Sequence, residues 1–134
     1  MIRSDKVLVL DVDGTLCPTK AAHQAYSELV PDPQMLERLR WYRDQGYCVI
    51  LQTSRQMRTH AGNIGRINAT TLPDLVEWLK RHDVPHDEVH VGKPWAGRDG
   101  FYVDDRAIRP AEFLALSPAQ IAERIAADGI CDRS

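Results

Sequence analysis

The sequence predicts an α/β fold, a three-layer, Rossmann-like arrangement with a parallel sheet and helices on both of its faces, in a single domain over residues 1–134. Two observations lead to this prediction. Short apolar segments alternate with segments of helical periodicity, which is the order of strand–helix–strand units with parallel strands. The segment 47–52 is apolar almost throughout, which is typical of a strand covered on both faces. The predicted elements are strands at 6–11, 47–52, 89–91 and 101–103, helices at 33–43 and 71–82, and a last helix opened by Ser117 and closed by Gly129.

The helix at 33–43 has end signals on both sides. Asp32 can cap its N-terminus, and Pro33 suits the first helical position because the missing N–H of proline has no partner there anyway. Gly46 suits the position just past the end, where the backbone turns into the left-handed region. The sequence therefore predicts both boundaries of this helix.

Composition and charge narrow the classes of function. The 17 basic and 19 acidic residues give a formal net charge of −2, which provides no field to attract nucleic acid or an anionic membrane. Residues 1–6 are not followed by the apolar segment of a signal peptide, and no apolar run reaches transmembrane length. The three cysteines, Cys17, Cys48 and Cys131, lack zinc-ligand spacing. We therefore expect a cytoplasmic protein with reduced thiols and with no nucleic-acid or membrane partner.

Pairs of carboxylates follow two of the predicted strands. Asp11 and Asp13 stand at the end of the first strand, and Asp104 and Asp105 at the end of the fourth. Because ligands bind outside the carboxyl ends of parallel strands, these residues are expected at one edge of the sheet. A single Asp in such a place is more often a cap or turn residue. Two pairs instead favour a hard cation that offsets their repulsion, and Mg²⁺ is the common choice beside a phosphate.

Two further polar residues follow the other strands. Thr53 ends the second strand, and its hydroxyl suits a phosphoryl oxygen, although a strand-end Thr is about as often a helix cap. Lys93 comes just after the third strand and is a point charge suited to an anionic phosphoryl group, whereas a lone Lys is more often solvated. Because both strands end at the same edge, the sequence predicts a phosphate site there.

These residues carry a resemblance to a known family. The segment Asp11-Val12-Asp13-Gly14-Thr15, then Thr53, Lys93 and the pair Asp104-Asp105 resemble, in order, the four motifs of the haloacid dehalogenase (HAD) superfamily. The likeness covers nearly the whole chain. Within the superfamily, the segments RQMRTHAGNIGRIN and VGKPWAGRDGFYVDDRAIRP resemble the small phosphatases associated with capsular polysaccharide biosynthesis.

The resemblance implies a phosphomonoester hydrolase. Asp11 would be the nucleophile that forms an aspartyl phosphate, and Asp13 the general acid and then the base. Thr53 and Lys93 would hold the transferred phosphoryl group and offset its charge. Gly14 would let the backbone turn so that both carboxylates face the phosphate. In the family, an Asp at position 13 accompanies phosphatases and phosphomutases.

The resemblance also implies a Mg²⁺ cofactor. Asp11, the main-chain carbonyl of Asp13 and the side chain of Asp104 would bind the metal, and Asp105 would bind it directly or through water.

Substrate recognition is expected from loops. The segments 14–32 and 55–70 are too short for the cap domain that family members often carry, so the chain is expected to be capless. Such an open site admits a large substrate or is covered by a neighbouring subunit of a homo-oligomer. The donor-rich segment 55–68 is the predicted specificity loop, unless it is a solvated surface helix with a glycine break. The predicted substrate-binding residues are Gly14, Ser54, Arg55, Arg58 and Arg66.

The expected substrate is a small phosphorylated metabolite, a sugar or polyol phosphate of surface-polysaccharide biosynthesis. The alternatives are a phosphomutase, a nucleic-acid-end phosphatase and a non-catalytic phosphate-binding regulatory module. The net charge of −2 weighs against nucleic acid, and the intact set of motif residues weighs against a non-catalytic module.

Overall fold

The computed structural model describes residues 5–129. By their contacts, the residues of the chain fall into two compact units, Met1–Trp95 and Ala96–Ser134. The single domain over 1–134 stays a prediction. Cys131 lies outside the described residues, as do residues 1–4 of the N-terminal segment.

The first unit contains a three-stranded parallel sheet with the order β1-β2-β3. The strands are β1 (Val7–Asp11), β2 (Cys48–Gln52) and β3 (Glu88–His90). In the register of the sheet, Asp11 lies beside Gln52 and Gln52 lies beside His90. The parallel α/β arrangement predicted from the alternation of apolar and helical segments is therefore confirmed. The aligned strand ends place the residues that follow them at one edge.

Helix α1 (Pro33–Asp44) begins and ends where its capping signals predict. The Asp32 side chain accepts a hydrogen bond of 2.9 Å from the main-chain N–H of Met35, and Pro33 is the first helical residue. At the other end, Gln45 is the C-cap and Gly46 follows with φ of +90°. Both predicted boundaries are confirmed.

Helix α2 (Ile64–Arg81) begins seven residues before the predicted start at 71. Asn63 caps it by accepting a hydrogen bond of 3.1 Å from the Arg66 N–H. Ile67 is fully buried one turn before the buried Thr71 and Leu75, so the apolar stripe of the helix extends back into the segment that looked like a loop. The prediction of a loop over 55–68 is thus wrong for 64–68, where the alternative of a surface helix holds except at the buried Ile67.

The core of the first unit lies around β2. Val49, Ile50 and Leu51 are consecutive and all buried, and successive strand residues point to opposite faces, so both faces of β2 are covered. A 3-10 helix at Tyr26–Glu28 precedes α1. The segment after it is tied to α2, because the Trp78 indole N–H donates to the carbonyl oxygen of Leu29 at 2.8 Å.

The second unit contains two helices, α3 (Pro110–Ala115) and α4 (Pro118–Asp128). Helix α4 confirms the prediction of a last helix. Its cap residue Ser117 exchanges hydrogen bonds of 3.2 and 2.9 Å with Gln120. Helix α3 was not predicted, although Pro110 at its first position and Glu112, which accepts from the Arg109 N–H at 2.9 Å, are ordinary start signals.

The predicted fourth strand at 101–103 is wrong. These residues have no strand structure, and the side chains of Phe101 and Val103 are 80% and 88% exposed. The described residues of the second unit include no strand, so the segment has no neighbour within its unit to share the hydrogen bonds of a sheet.

Among residues 5–129 there is no helix that combines the length and the apolar character needed to cross a bilayer.

Candidate active site

The first carboxylate pair stands where β1 ends and the chain turns sharply. After Asp11, Val12 is fully buried and its carbonyl accepts a hydrogen bond of 2.9 Å from the Leu16 N–H. Gly14 has φ of +85° and donates its N–H to the Cys17 carbonyl at 2.7 Å. This left-handed conformation suits glycine, so Gly14 permits the turn that carries Asp13 away from the strand direction.

Asp11 faces Lys93 across the strand ends. The Lys93 Nζ lies 3.5 Å from the Asp11 Oδ1. Burial raises the pKa of Asp11 above its ordinary value, and the ammonium group of Lys93 acts in the opposite direction. The structure thus brings together two residues that are 82 positions apart in the sequence. Burial thus disfavours the charged form of Asp11, and the neighbouring Lys93 favours it.

Thr53 is buried between these strand ends. Its N–H donates to the carbonyl of His90 at 3.0 Å, and its own carbonyl accepts from the Lys93 N–H at 3.2 Å. The hydroxyl oxygen accepts from the main-chain N–H of Arg55 at 3.0 Å, so the hydroxyl shapes the following turn and keeps its proton to donate. The main chain therefore fixes Thr53 and Lys93 together at the edge where Asp11 lies.

Arg55 makes a contact with Asp13 that no sequence pattern predicted. Its Nε and Nη2 donate to the two carboxylate oxygens of Asp13 at 3.1 and 2.7 Å. The guanidinium carbon lies 4.0 Å from the centre of the Tyr26 ring. The prediction that Arg55 binds substrate stays a prediction. In this structure its side chain is buried and clamps the candidate acid.

Two more residues surround this clamp, and neither was predicted to take part in the site. Tyr26 contributes its ring, and burial raises the pKa of its phenol. The Cys17 Sγ lies 3.8 Å from the Asp13 Oδ1, and burial with the nearby Asp13 carboxylate raises the pKa of the thiol to about 12. Cys17 is therefore a neutral thiol beside the carboxylate. The sequence carried no signal for Tyr26, because Arg55, which its ring meets in the clamp, lies far away along the chain.

The other predicted substrate residues lie on different elements. Ser54 follows Thr53 and is half-buried. Arg58 is exposed in the turns before α2, with its guanidinium carbon 5.4 Å from the centre of the Trp95 ring. Arg66 is exposed on the first turn of α2. Their binding of substrate stays a prediction.

The second carboxylate pair belongs to the second unit. Asp104 and Asp105 are both exposed, and the Asp104 Oδ1 accepts a hydrogen bond of 2.9 Å from the Arg106 N–H. Their role as metal ligands stays a prediction. Among the described residues, no group of three or more His, Cys, Asp or Glu side chains is arranged to hold a metal ion. In the first unit, Asp11 and Asp13 supply oxygen donors of the kind that Mg²⁺ prefers.

The chain is similar to a protein of known structure. A structural-genomics target protein from Vibrio cholerae, known from a crystal structure, is 44% identical to this chain with a TM-score of 0.87. The match covers 92% of this chain and 99% of that one. No protein-family model matches the chain, and no curated protein matches it.

A second, weak likeness is to a D,D-heptose 1.7-bisphosphate phosphatase from B. bronchiseptica, whose crystal structure is a complex with magnesium and phosphate. It is 18% identical with a TM-score of 0.45, and the match covers 72% of this chain and 54% of that one. A likeness of this size supports no conclusion about activity.

Proposed function

We propose that this chain, which belongs to the same family as the Vibrio cholerae protein, is a Mg²⁺-dependent phosphatase of the HAD superfamily. One observation carries the proposal. Asp11, Thr53 and Lys93 meet at the carboxyl edge of the sheet, with the Lys93 Nζ 3.5 Å from Asp11 and the Lys93 N–H bound to the Thr53 carbonyl at 3.2 Å. A nucleophile, a hydroxyl donor and a cation in one place are the groups that phosphoryl transfer requires.

The first chemical step is assigned to Asp11. A carboxylate oxygen of Asp11 attacks phosphorus, and the new oxygen–phosphorus bond forms as the bond to the leaving oxygen breaks. Lys93 and Thr53 hold the phosphoryl oxygens and offset the charge that spreads over them. Partial burial of Asp11 removes part of the water around the carboxylate and raises its pKa, while Lys93 favours the charged form that attacks.

Proton transfer is assigned to Asp13. Asp13 carries a proton in the complex with substrate and gives it to the leaving oxygen in the first step, and it takes one from the water that attacks the aspartyl phosphate in the second, which restores its protonated form. The second step returns Asp11 and releases inorganic phosphate. To meet the leaving oxygen, Asp13 exchanges one of its two Arg55 hydrogen bonds. Its side chain retains 24% exposure, which leaves room for that contact.

The metal is assigned to the same edge. Asp11 and the main-chain carbonyl of Asp13 would hold Mg²⁺ there, and Asp104 and Asp105 stay the further ligands that the family resemblance implies. The bound cation would offset phosphoryl charge and relieve the repulsion between the carboxylates.

The substrate is proposed to be a small phosphorylated metabolite, a sugar or polyol phosphate of surface-polysaccharide biosynthesis. The proposed fold is a capless three-layer core. The donor-rich turns at 55–63 and the first turn of α2 support recognition of a polar substrate, because Arg58 and Arg66 are exposed there.

The test is phosphate release from a panel of phosphorylated metabolites in Mg²⁺. The wild type should release phosphate from at least one sugar or polyol phosphate. The Asp11→Asn variant should lose activity by at least about a thousandfold, since the amide keeps the shape but is not a nucleophile. Asp44→Asn, an exposed aspartate at the end of α1, is the matched control and should retain full activity.

Two results would overturn the proposal. One is a wild-type protein that releases no phosphate from any compound. The other is an Asp11→Asn variant within tenfold of the wild type.

A further inference from the structure

A cleft of about 290 Å³ lies beside the clamp, which is the pair of Arg55 and Asp13. The residues that line it include Tyr26, Arg55, His60, Thr70, Thr71 and Asp74. We infer that this cleft is the site of the leaving group and that it takes one uncharged, polyhydroxylated unit, a single sugar or polyol, while it disfavours a second anionic group. The inference rests on the proposed function and narrows its substrate class.

The position of the cleft follows from Arg55. The same guanidinium group that holds both oxygens of Asp13 also forms part of the cleft wall. A general acid must reach the oxygen to which it gives a proton. If Asp13 is that acid, the leaving oxygen lies on the Asp13 side of the phosphorus, and the group attached to it lies toward Arg55 and the cleft.

The size of the cleft favours a small group. Binding sites for drug-sized ligands are roughly 300–1,000 Å³, so a cleft of about 290 Å³ lies just below that range. The cleft itself therefore has room for one sugar ring or a short polyol.

The charges in the wall favour an uncharged group. The positive charge of Arg55 is already matched by Asp13, to which it donates two hydrogen bonds. The remaining formal charge among the lining residues is the carboxylate of Asp74, when His60 is counted as neutral. A second phosphate or carboxylate would approach Asp74 as a like charge, which disfavours it. Sugar hydroxyls can instead donate to Asp74 and pair with the hydroxyls of Thr70 and Thr71.

The backbone of the wall is held in an unusual conformation. Gln56, which also lines the cleft, has φ of +66° although it is not glycine. Non-glycine residues in the left-handed region are uncommon, and such strain gathers at functional sites. Here it sets the direction of the chain immediately after Arg55, between the clamp and the cleft.

The test compares fructose 6-phosphate with fructose 1,6-bisphosphate, which differ by the second anionic group. The wild type should have a kcat/KM for the monophosphate at least about tenfold higher. Asp74→Asn should reduce that preference at least about fivefold, mainly by improving the bisphosphate. Glu77→Gln removes a carboxylate from the same helix outside the cleft and is the matched control, which should keep the wild-type preference.

A second variant tests occupancy of the cleft. Thr70 is exposed and lies on α2, so Thr70→Phe should fill the cleft without disturbing the core. The ratio of kcat/KM for fructose 6-phosphate to that for acetyl phosphate, whose leaving group is small, should fall at least about tenfold.

The outcomes separate this inference from the proposed function. If the wild type releases phosphate from acetyl phosphate but Asp74→Asn and Thr70→Phe leave both ratios unchanged, the cleft assignment is overturned and the phosphatase stands. A wild type that prefers the bisphosphate, or that hydrolyses acetyl phosphate but neither fructose phosphate, also overturns the cleft assignment. Absence of phosphate release from every compound overturns both.

Discussion

Arg55 holds Asp13 with two hydrogen bonds, at 2.7 and 3.1 Å, from a side chain that is only 4% exposed. The pair joins the turn after β1 to the turn after β2, 42 residues apart along the chain. A buried guanidinium group requires a partner, because an unpaired charge in the interior is costly. The pair therefore serves the local structure as well as the candidate acid.

A double-mutant cycle should show strong coupling between these two residues. With Asp13→Asn, Arg55→Met and the double variant, urea unfolding is expected to give a coupling free energy above about 1.5 kcal/mol, within the range of roughly 0.5–3 kcal/mol for residues of one network. The matched control is the pair Arg43 and Asp87, at a similar distance of 2.9 Å but 45% and 35% exposed. Its coupling should stay below about 1 kcal/mol, as for exposed ion pairs. Equal coupling in the two pairs would contradict the argument from burial.

Asp11→Asn is expected to abolish activity and yet stabilise the metal-free protein at neutral pH. Burial raises the pKa of Asp11 above 3.8, so the folded state binds its proton more tightly than the unfolded chain does. As pH rises from 3.8 through the folded pKa, ionisation favours the unfolded chain and stability is lost. At pH 7 in EDTA, the variant should unfold at a higher urea concentration than the wild type. The gain should shrink toward pH 4, and a lower midpoint at pH 7 would contradict the prediction.

Phosphate release should depend on a divalent cation. EDTA is expected to abolish it and added Mg²⁺ to restore it. Ca²⁺ should bind yet support little turnover, because its longer and more variable coordination would misplace the nucleophile relative to phosphorus. Protection of the fold by Mg²⁺ in a thermal melt gives a readout that does not depend on activity. Full activity after extensive dialysis against EDTA would exclude the metal role of Asp11.

Cys17 should be unreactive in the folded protein. Burial and the Asp13 carboxylate raise the pKa of the thiol from 9.0 to about 12, which lowers the thiolate fraction near pH 8 by about a thousandfold. Iodoacetamide at pH 8 should leave the peptide that contains Cys17 unmodified, whereas the same peptide should react fully in urea. The measurement is peptide mass before and after unfolding. Labelling of Cys17 at equal rates in both conditions would refute its burial beside Asp13.

Local signals in the sequence predicted most of the first unit. The apolar segments marked all three strands of its sheet, and Asp32, Pro33 and Gly46 marked both ends of α1. The start of α2 was missed because Gly65 and several polar side chains make residues 64–68 look like a loop. The buried stripe through Ile67 determines that boundary, and burial depends on tertiary packing.

The candidate site was predictable only where it follows strand ends. The meeting of Asp11, Thr53 and Lys93 follows from parallel pairing, which the alternation of elements indicated. The clamp of Arg55 on Asp13 and the ring of Tyr26 against it were not predictable, because no local pattern records a contact between segments so far apart. The strand predicted at 101–103 was wrong because three apolar residues form a strand only where a neighbouring strand shares their main-chain hydrogen bonds.

The register of β2 in the sheet determines whether a folded molecule contains the candidate site. Val49, Ile50 and Leu51 are all apolar, so a shift of β2 by one position would still bury hydrophobic side chains. The same shift would turn Thr53 toward the opposite face and separate it from Lys93. Misfolded molecules of this kind would still bury apolar side chains but would lack the arrangement of the candidate site. A purified sample is therefore better judged by its specific activity than by its yield or its elution volume.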